Sequence, residues 1–389
     1  MKVIVIGGGP SGMMASIKAS ENHEVILLEK NNRLGVKLLM TGNGRCNVTN
    51  KKDVNSFINE CSKSTRFMYY SLTEFSTKDL INYFNSKGCP LIEEENNKMF
   101  PKSNKASSIL NVLEKDLSKV DIRYNHEVLD WIIKDNKVIG VSTNKGDIFG
   151  DYFICATGGL SYPKTGSDGK GYELAKKLGH TITNLYGIEV ALISNDELIV
   201  SKELMGTSFN NIKVSVVVDD KVKKSIKGDL IITHFGLSGP AILELSAFVR
   251  KNLNKKVDIM ISTVDDIEFD KKTLGMCIKG IASKRWLDYL IENQNRNISE
   301  ISKKDLNIIK EKLTSFKVNI VDTLPIDKAT VTSGGIKTSE LDPRTMRSKF
   351  HGNVCFCGEL IDVQGPIGGY NLTLAFTSGY ISGKGIDFC

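Results

Sequence analysis

The sequence opens with a β-branched run, KVIVI at residues 2–6, that leads directly into GGGPSG. Gly7, Gly9 and Gly12 satisfy G-x-G-x-x-G, a helix is expected over about 11–20, and the next strand, EVILL at 24–28, ends at Glu29. The glycine spacing alone is weak evidence. A strand before it, a helix after it and an acid about 20 residues on make it a dinucleotide fingerprint. Each part has a physical task. Gly7 permits the tight turn, Gly9 lets backbone approach a pyrophosphate, and Gly12 lets helix and strand pack closely. Pro10 and Ser11 begin the helix, whose free N–H groups and positive dipole end suit phosphate. Glu29 can accept hydrogen bonds from a ribose. A glycine turn without a ligand is the bland alternative, and the complete context argues against it.

The chain has 389 residues, long enough for two or three domains. Residues 120–159 read as short strands separated by turns, and YFICATGG ends a buried strand at Ala156, Thr157 and Gly158. Two helices are expected between about 56 and 88, and another over 169–178. From residue 187 the pattern becomes β-rich, and 265–318 is mainly helical and polar. The expected division is an FAD-binding domain over 1–186, an inserted β-rich and helical substrate domain over 187–330, and completion of the first domain over 331–389. The fold class is α/β, with a Rossmann-type FAD-binding domain and a β-rich insert.

That C-terminal return selects the dinucleotide. A strand leads to Gly358 and Glu359, and a helix begins near Asn371. FAD is bound along its length by both ends of such a chain, whereas NAD would not need the last segment. Glu359 suits ribityl hydroxyls. The backbone at Gly368, Gly369, Tyr370, Asn371 and Leu372 would set a helix N-terminus at the flavin N1–C2=O edge, where negative charge collects on reduction. The bland alternative is a glycine loop capping a helix.

Several longer blocks carry a resemblance. KLLMTGNGRCNVTN, ATGGLSYPKTGSDGKGYELAKKLGH, THFGLSGPAIL, ATVTSGGI, LDPRTM and CGELIDVQGPIGGYNLTLAFTSGY occur in this order across nearly the whole chain. Together they resemble the BaiN-like family of bacterial flavoproteins, also called the YhiN or aminoacetone-oxidase family. The resemblance implies non-covalent FAD, a β-barrel-like second domain and a helical part. It extends the expected cofactor set to Lys30, Lys37, Thr41, Gly42, Gly44, Arg45, Cys46 and Asn47, with Val128 beside the adenine. Two features depart from the pattern: residues 263–320, and Gln364, where the family loop commonly carries an acid. Members are assigned either reduction of carbon–carbon double bonds in oxo-bile acids or oxidation of a small aminoketone, so the resemblance specifies cofactor rather than substrate.

Individual residues carry competing readings. Cys46 lacks the nearby partner that a dithiol relay needs, so it reads as a packing residue beside the flavin. Cys355 and Cys357 share one strand face and read as core. The eight cysteines, at 46, 61, 89, 155, 277, 355, 357 and 389, read as reduced thiols, and the five scattered histidines offer no metal site. His234 is either a proton donor facing the flavin or a turn histidine holding backbone. Arg45 either steadies an anion or makes a loop salt bridge. Tyr162 and Tyr370 are further proton-donor candidates.

The net charge of +7 is modest in a Lys- and Asn-rich chain. No basic run is interleaved with aromatics, and the cluster from Arg250 to Lys256 reads as a solvated helix end, so a nucleic-acid partner is not expected. No apolar run is long enough to span a membrane. A strand starting at Lys2 leaves no room for a signal peptide, and a cytoplasmic location is expected. The functional expectation is two-electron redox at FAD: an NAD(P)H-linked reductase of an activated C=C bond in a small organic substrate, with NAD(P)H bound transiently. The alternatives are an oxidase of a small amine and an RNA-modifying flavoprotein.

Overall fold

The computed structural model describes residues 1–388; Cys389 lies outside the described residues. The chain divides into two compact units, Met1–Tyr186 with Val331–Cys389, and Gly187–Thr330.

The first unit is built on a five-stranded parallel sheet in the spatial order Val354–Phe356, Tyr152–Cys155, Lys2–Ile6, Glu24–Glu29, Asp121–Tyr124. Its inner strands are apolar on both faces, as a sheet covered on both sides requires. Ile6 lies in register with Leu28 on one side and Cys155 on the other, and Cys155 with Phe356. The carboxyl ends of four strands therefore converge on Gly7, Glu29, Ala156 and Cys357. The chain runs from the first strand outward to Glu24–Glu29 and Asp121–Tyr124, then returns to the first strand's other side with Tyr152–Cys155 and Val354–Phe356, which makes this crevice a topological switch point.

Two helices cross closely over the sheet. Pro10–Ala19 follows the first strand, and Tyr370–Lys384 follows the last. The crossing depends on absent side chains. A Cβ at Gly379 would lie 2.2 Å from the Ser11 carbonyl oxygen, and one at Gly383 would lie 2.5 Å from that of Ala15. A separate three-stranded antiparallel sheet, Val128–Lys134, Lys137–Thr143 and Gly146–Phe149, lies between the third and fourth parallel strands in sequence. Between residues 54 and 86 three short helices form where two were expected: Val54–Glu60, Tyr69–Glu74 and Thr77–Ser86. Asp53 and Ser76 cap the first and last of these, and Ser76 restarts the helix after a break at Phe75.

The second unit holds a seven-stranded sheet in the order Phe316–Ile320, Val257–Ser262, Ser208–Val218, Lys221–Ile232, Gly236–Ser238, Leu192–Ile193, Asp322–Thr323. Its two outermost strands are separated in sequence by Val321 alone, so the sheet must curl until its edges meet. That curl is the barrel-like character expected of the insert. Helix Pro240–Asn252 and the short helices Leu274–Ile278, Lys284–Leu290 and Lys303–Thr314 complete the unit, with Trp286 fully buried in its core. No helix among the described residues is long and apolar enough to cross a membrane.

Candidate functional site

The site is assembled at the carboxyl ends of the parallel strands. Gly7 has φ of +104°, and a Cβ there would lie 2.6 Å from the Ala156 carbonyl oxygen. At Gly12 a Cβ would lie 1.8 Å from the Gly7 carbonyl oxygen. Gly9 differs: nothing lies within 4 Å of its Cβ position. Gly9 is the N-cap of Pro10–Ala19, with no side-chain cap and no acid in the first turn. Backbone donors at Ser11 and Gly12 therefore face an open cradle of the kind an anion fills.

Glu29 is 7 % exposed, and its carboxylate accepts the Gly8 N–H at 2.7 Å and the Asn31 N–H at 2.7 Å. Each oxygen keeps a lone pair for another donor. The His126 N–H donates to the Glu29 carbonyl at 3.0 Å, which sets the strand starting at Val128 beside this acid. Lys30 pairs with Asp168 at 2.8 Å. Gly158 has φ of +77°, with Ser167 Oγ 2.7 Å from its Cβ position, and Thr157 Oγ1 comes within 1.9 Å of a Cβ at Gly171.

Glu359 is the centre of a network that sequence spacing did not reveal. Its carboxylate accepts from Lys37 Nζ at 2.7 Å, Ser161 Oγ at 3.2 Å and the Thr332 N–H at 2.7 Å. Lys37 Nζ also donates to Ser161 Oγ at 2.6 Å, and Thr332 Oγ1 accepts the N–H groups of Leu160 and Ser161 at 2.8 and 3.0 Å. Ser161 and Thr332 were missed because neither has a local signature; their one trace is that both fall inside the shared blocks quoted above. Gly358 has φ of +73°, and Ser11 Oγ would lie 2.4 Å from its Cβ, so the two ends of the chain meet here.

Within residues 41–47, three consecutive positions are left-handed, with φ of +57° at Gly42, +55° at Asn43 and +82° at Gly44; right-handed Arg45 then separates them from Cys46 at +63°. The positive φ at Gly42 and Gly44 is a backbone conformation that favours glycine. Thr41 Oγ1 donates to the Leu38 carbonyl at 2.7 Å. Cys46 is fully buried as a free thiol, and burial pushes its pKa up to about 12. A protonated, buried thiol of this kind is a packing group rather than a nucleophile. Arg45 makes the loop salt bridge: it pairs with Glu94, donates to Asn104 Oδ1 at 2.8 Å and lies 4.2 Å above the Phe100 ring. Arg45, Glu94, Glu95, Lys98 and Phe100 line a cleft of about 480 Å³.

The turn before the last helix is locked to this loop. With its amide oriented to satisfy its neighbours, Asn47 accepts the Gly369 N–H at 3.1 Å and donates to the Thr49 carbonyl at 3.1 Å. Asn50 Nδ2 donates to the Gly368 carbonyl at 3.1 Å, and Thr49 and Thr373 hydroxyls meet at 2.7 Å. Asn371 bridges both backbone groups of Gly365, at 2.9 and 3.0 Å. Leu372 packs partly buried against the core. Tyr370 is 2 % exposed, stacks on Phe57 and donates to Glu60 at 2.5 Å, which ill suits a proton donor to substrate. Tyr162 adopts φ of +54° at the start of a turn. In the second unit His234 is exposed and packs edge-on against Phe235. Among the described residues no three His, Cys, Asp or Glu side chains gather as a metal site.

The profile described as the HI0933-like protein Rossmann domain matches residues 1–385. A 3-dehydro-bile acid delta(4,6)-reductase of Clostridium scindens is 29% identical, with 98% of each chain covered. A ribosomal RNA dihydrouridine synthase of Escherichia coli is also 29% identical, over 97% of this chain and 96% of the relative. Among solved structures, a flavocytochrome c3 fumarate reductase matches 99% of this chain and 77% of its own with a TM-score of 0.53 at 16% identity. A 3-ketosteroid-delta4-(5alpha)-dehydrogenase of Rhodococcus jostii covers 98% and 96% with a TM-score of 0.51 at 14% identity, a likeness of fold. The chain belongs to the HI0933-like Rossmann family, and by that kinship it is an FAD-dependent oxidoreductase.

Proposed function

We propose that this chain is a reductase that adds hydrogen across a ring carbon–carbon double bond conjugated to a carbonyl. The observation that carries this reading is the pair of relatives. A delta(4,6)-reductase and a dihydrouridine synthase, each aligned end to end at 29% identity, both saturate such a ring. Their substrates differ, so the shared chemistry is what transfers.

FAD, when bound, supplies the two-electron hydride chemistry. The residues fit it, because the Gly9 cradle is open and flanked by free backbone donors. In this reading Gly7, Gly9, Pro10, Ser11 and Gly12 hold the pyrophosphate, with Ala156, Thr157 and Gly158 beside it. Glu29 takes the ribose, Lys30 and Val128 flank the adenosine end, and Glu359 with Lys37 faces the ribityl chain. Residues 41–47 shape the wall of the flavin site. The N–H groups at the start of the last helix hold negative charge at the pyrimidine edge. Arg45 and Tyr370 are engaged elsewhere, which leaves Tyr162 as the candidate within this unit for delivering a proton.

A small enone is the first reading of the substrate. A uracil ring carried on RNA is the second, favoured by the relatives from Escherichia coli and Haemophilus influenzae, both ribosomal RNA dihydrouridine synthases. The test begins with an absorbance spectrum of the purified protein with FAD, then anaerobic NADH or NADPH. Bleaching followed by turnover of a 4-ene-3-ketosteroid, or by a gain of two hydrogens per uridine in ribosomal RNA, supports the reductase. Bleaching by an aminoketone with fast reoxidation in air would replace it with the oxidase. No flavin peaks after adding FAD would overturn the cofactor assignment itself.

A further inference from the structure

The second unit carries a basic ribbon that a linear reading overlooks. Strand Lys221–Ile232 begins KVKKSIK, with lysines at 221, 223, 224 and 227, all exposed. Lys213 faces Lys227 directly across the hairpin. The register slips between Val216–Lys224 and Val217–Val222, so Lys223 is an extra residue, and Lys223 and Lys224 crowd one position of the facing strand. On its other side this strand is paired only at Ile231 and Ile232, so Lys221–Lys227 is an open edge.

The charges there are not internally cancelled. Lys227 lies 3.7 Å from Asp265, whereas Lys213, Lys221, Lys223 and Lys224 form no ion pair among the described residues. The two acids of the hairpin turn are already taken: Asp219 pairs with Lys255, and Asp220 with Lys256 and Lys317. Arg250 pairs with Asp322. The Arg250–Lys256 cluster is thus largely neutralised by partners, while the ribbon is left with surplus positive charge and an exposed Val222.

We propose that the hairpin Ser208–Ile232 is a polyanion-docking ribbon whose partner is the phosphate backbone of folded RNA, with Lys213, Lys221, Lys223 and Lys224 as its contacts. This rests on the uracil reading above. Ammonium groups on a twisted two-stranded ribbon track a phosphate backbone without reading bases. The competing account is that edge lysines merely prevent strand-to-strand aggregation. The two accounts part on charge sign, because glutamate blunts an edge as well as lysine does and repels phosphate.

The experiment compares holoprotein, a Lys221→Glu/Lys223→Glu/Lys224→Glu variant and the corresponding triple Arg variant, by filter binding to total ribosomal RNA over a salt series. FAD content and melting temperature report the fold. The expected result is at least about a tenfold loss of affinity in the Glu variant, and a salt slope lower by about 2–3 for three lost phosphate contacts. The Arg variant and FAD content should match the parent. Should the Glu variant misfold, single Lys223→Gln and Lys224→Gln variants would each lower the slope by roughly 0.7–0.9. Parent-like RNA binding by a folded Glu variant would overturn the ribbon and leave the uracil reading standing. Absence of RNA binding and of dihydrouridine formation by the parent would overturn that reading too. Equal binding of the parent to anionic phosphatidylglycerol vesicles would overturn RNA as the partner.

Discussion

The chain builds two glycine-led helix starts on one parallel sheet, in opposite ways. At Pro10–Ala19 the cap glycine is open, with nothing within 4 Å of its Cβ position. At Tyr370–Lys384 the cap glycine is pressed into protein: a Cβ at Gly369 would lie 2.4 Å from the Thr49 carbonyl carbon, and its N–H is taken by Asn47. The first start keeps its donors for a ligand. The second gives one donor to the 41–47 loop and so fixes that loop against the helix. The first start is thus left open at its cap, whereas the second adds a clamp on the 41–47 loop to the N–H groups it still offers the pyrimidine edge in the reading proposed above.

Substitutions should separate these roles, and the largest effect belongs to Gly12, which packs the first helix against the strand turn as well as facing the cradle. Gly12→Val places a side chain 1.8 Å from backbone at its first carbon. It should cost roughly 3 kcal/mol or more and lower the yield of folded protein, measured by denaturant unfolding. Gly369→Ala should cost about 2–4 kcal/mol, combining a positive φ with backbone overlap. It should loosen the 41–47 loop, visible as faster hydrogen exchange at Cys46 and Asn47. Gly9→Ala should change stability by about 1 kcal/mol or less. Its methyl would nonetheless enter the open cradle, so FAD affinity should fall at least about tenfold with the melting curve of the apoprotein nearly unmoved. Unchanged FAD affinity in Gly9→Ala would break the contrast, because the first start would then be no more a receptor than the second.

The same contrast explains what the sequence revealed. The first start was legible because strand, glycines, helix and Glu29 lie within 29 residues and obey local rules. The sheet and its C-terminal return were legible through their apolar runs. The clamp was only half legible: Gly368 and Gly369 were visible, yet their partners Asn47 and Thr49 lie more than 300 residues away. Lys37, Ser161, Thr332 and Glu359 meet for the same non-local reason, and serine and threonine carry no signature of their own. The middle helix, Tyr69–Glu74, was not legible because it spans six residues and starts at Met68 without a side-chain cap. The lysine ribbon was not legible because its charges are interspersed with Val222, Ser225 and Ile226 along one strand and joined by Lys213 only through the hairpin pairing.

The crossing of the two long helices also has a consequence in time. Ser11 and Ala15 are covered by Gly379 and Gly383, and Tyr370 follows Pro10 by 360 positions. A ribosome adding about 5–20 residues per second delivers that cover roughly 20–70 s after the first helix emerges. The nascent first unit must wait through that interval with one helix face bare and the edge strand Val354–Phe356 missing, while the whole of Gly187–Thr330 is synthesised. With the cofactor residues proposed above, capture belongs to the end of synthesis, and the half-built sheet is the stage at which a chaperone would find the most to hold.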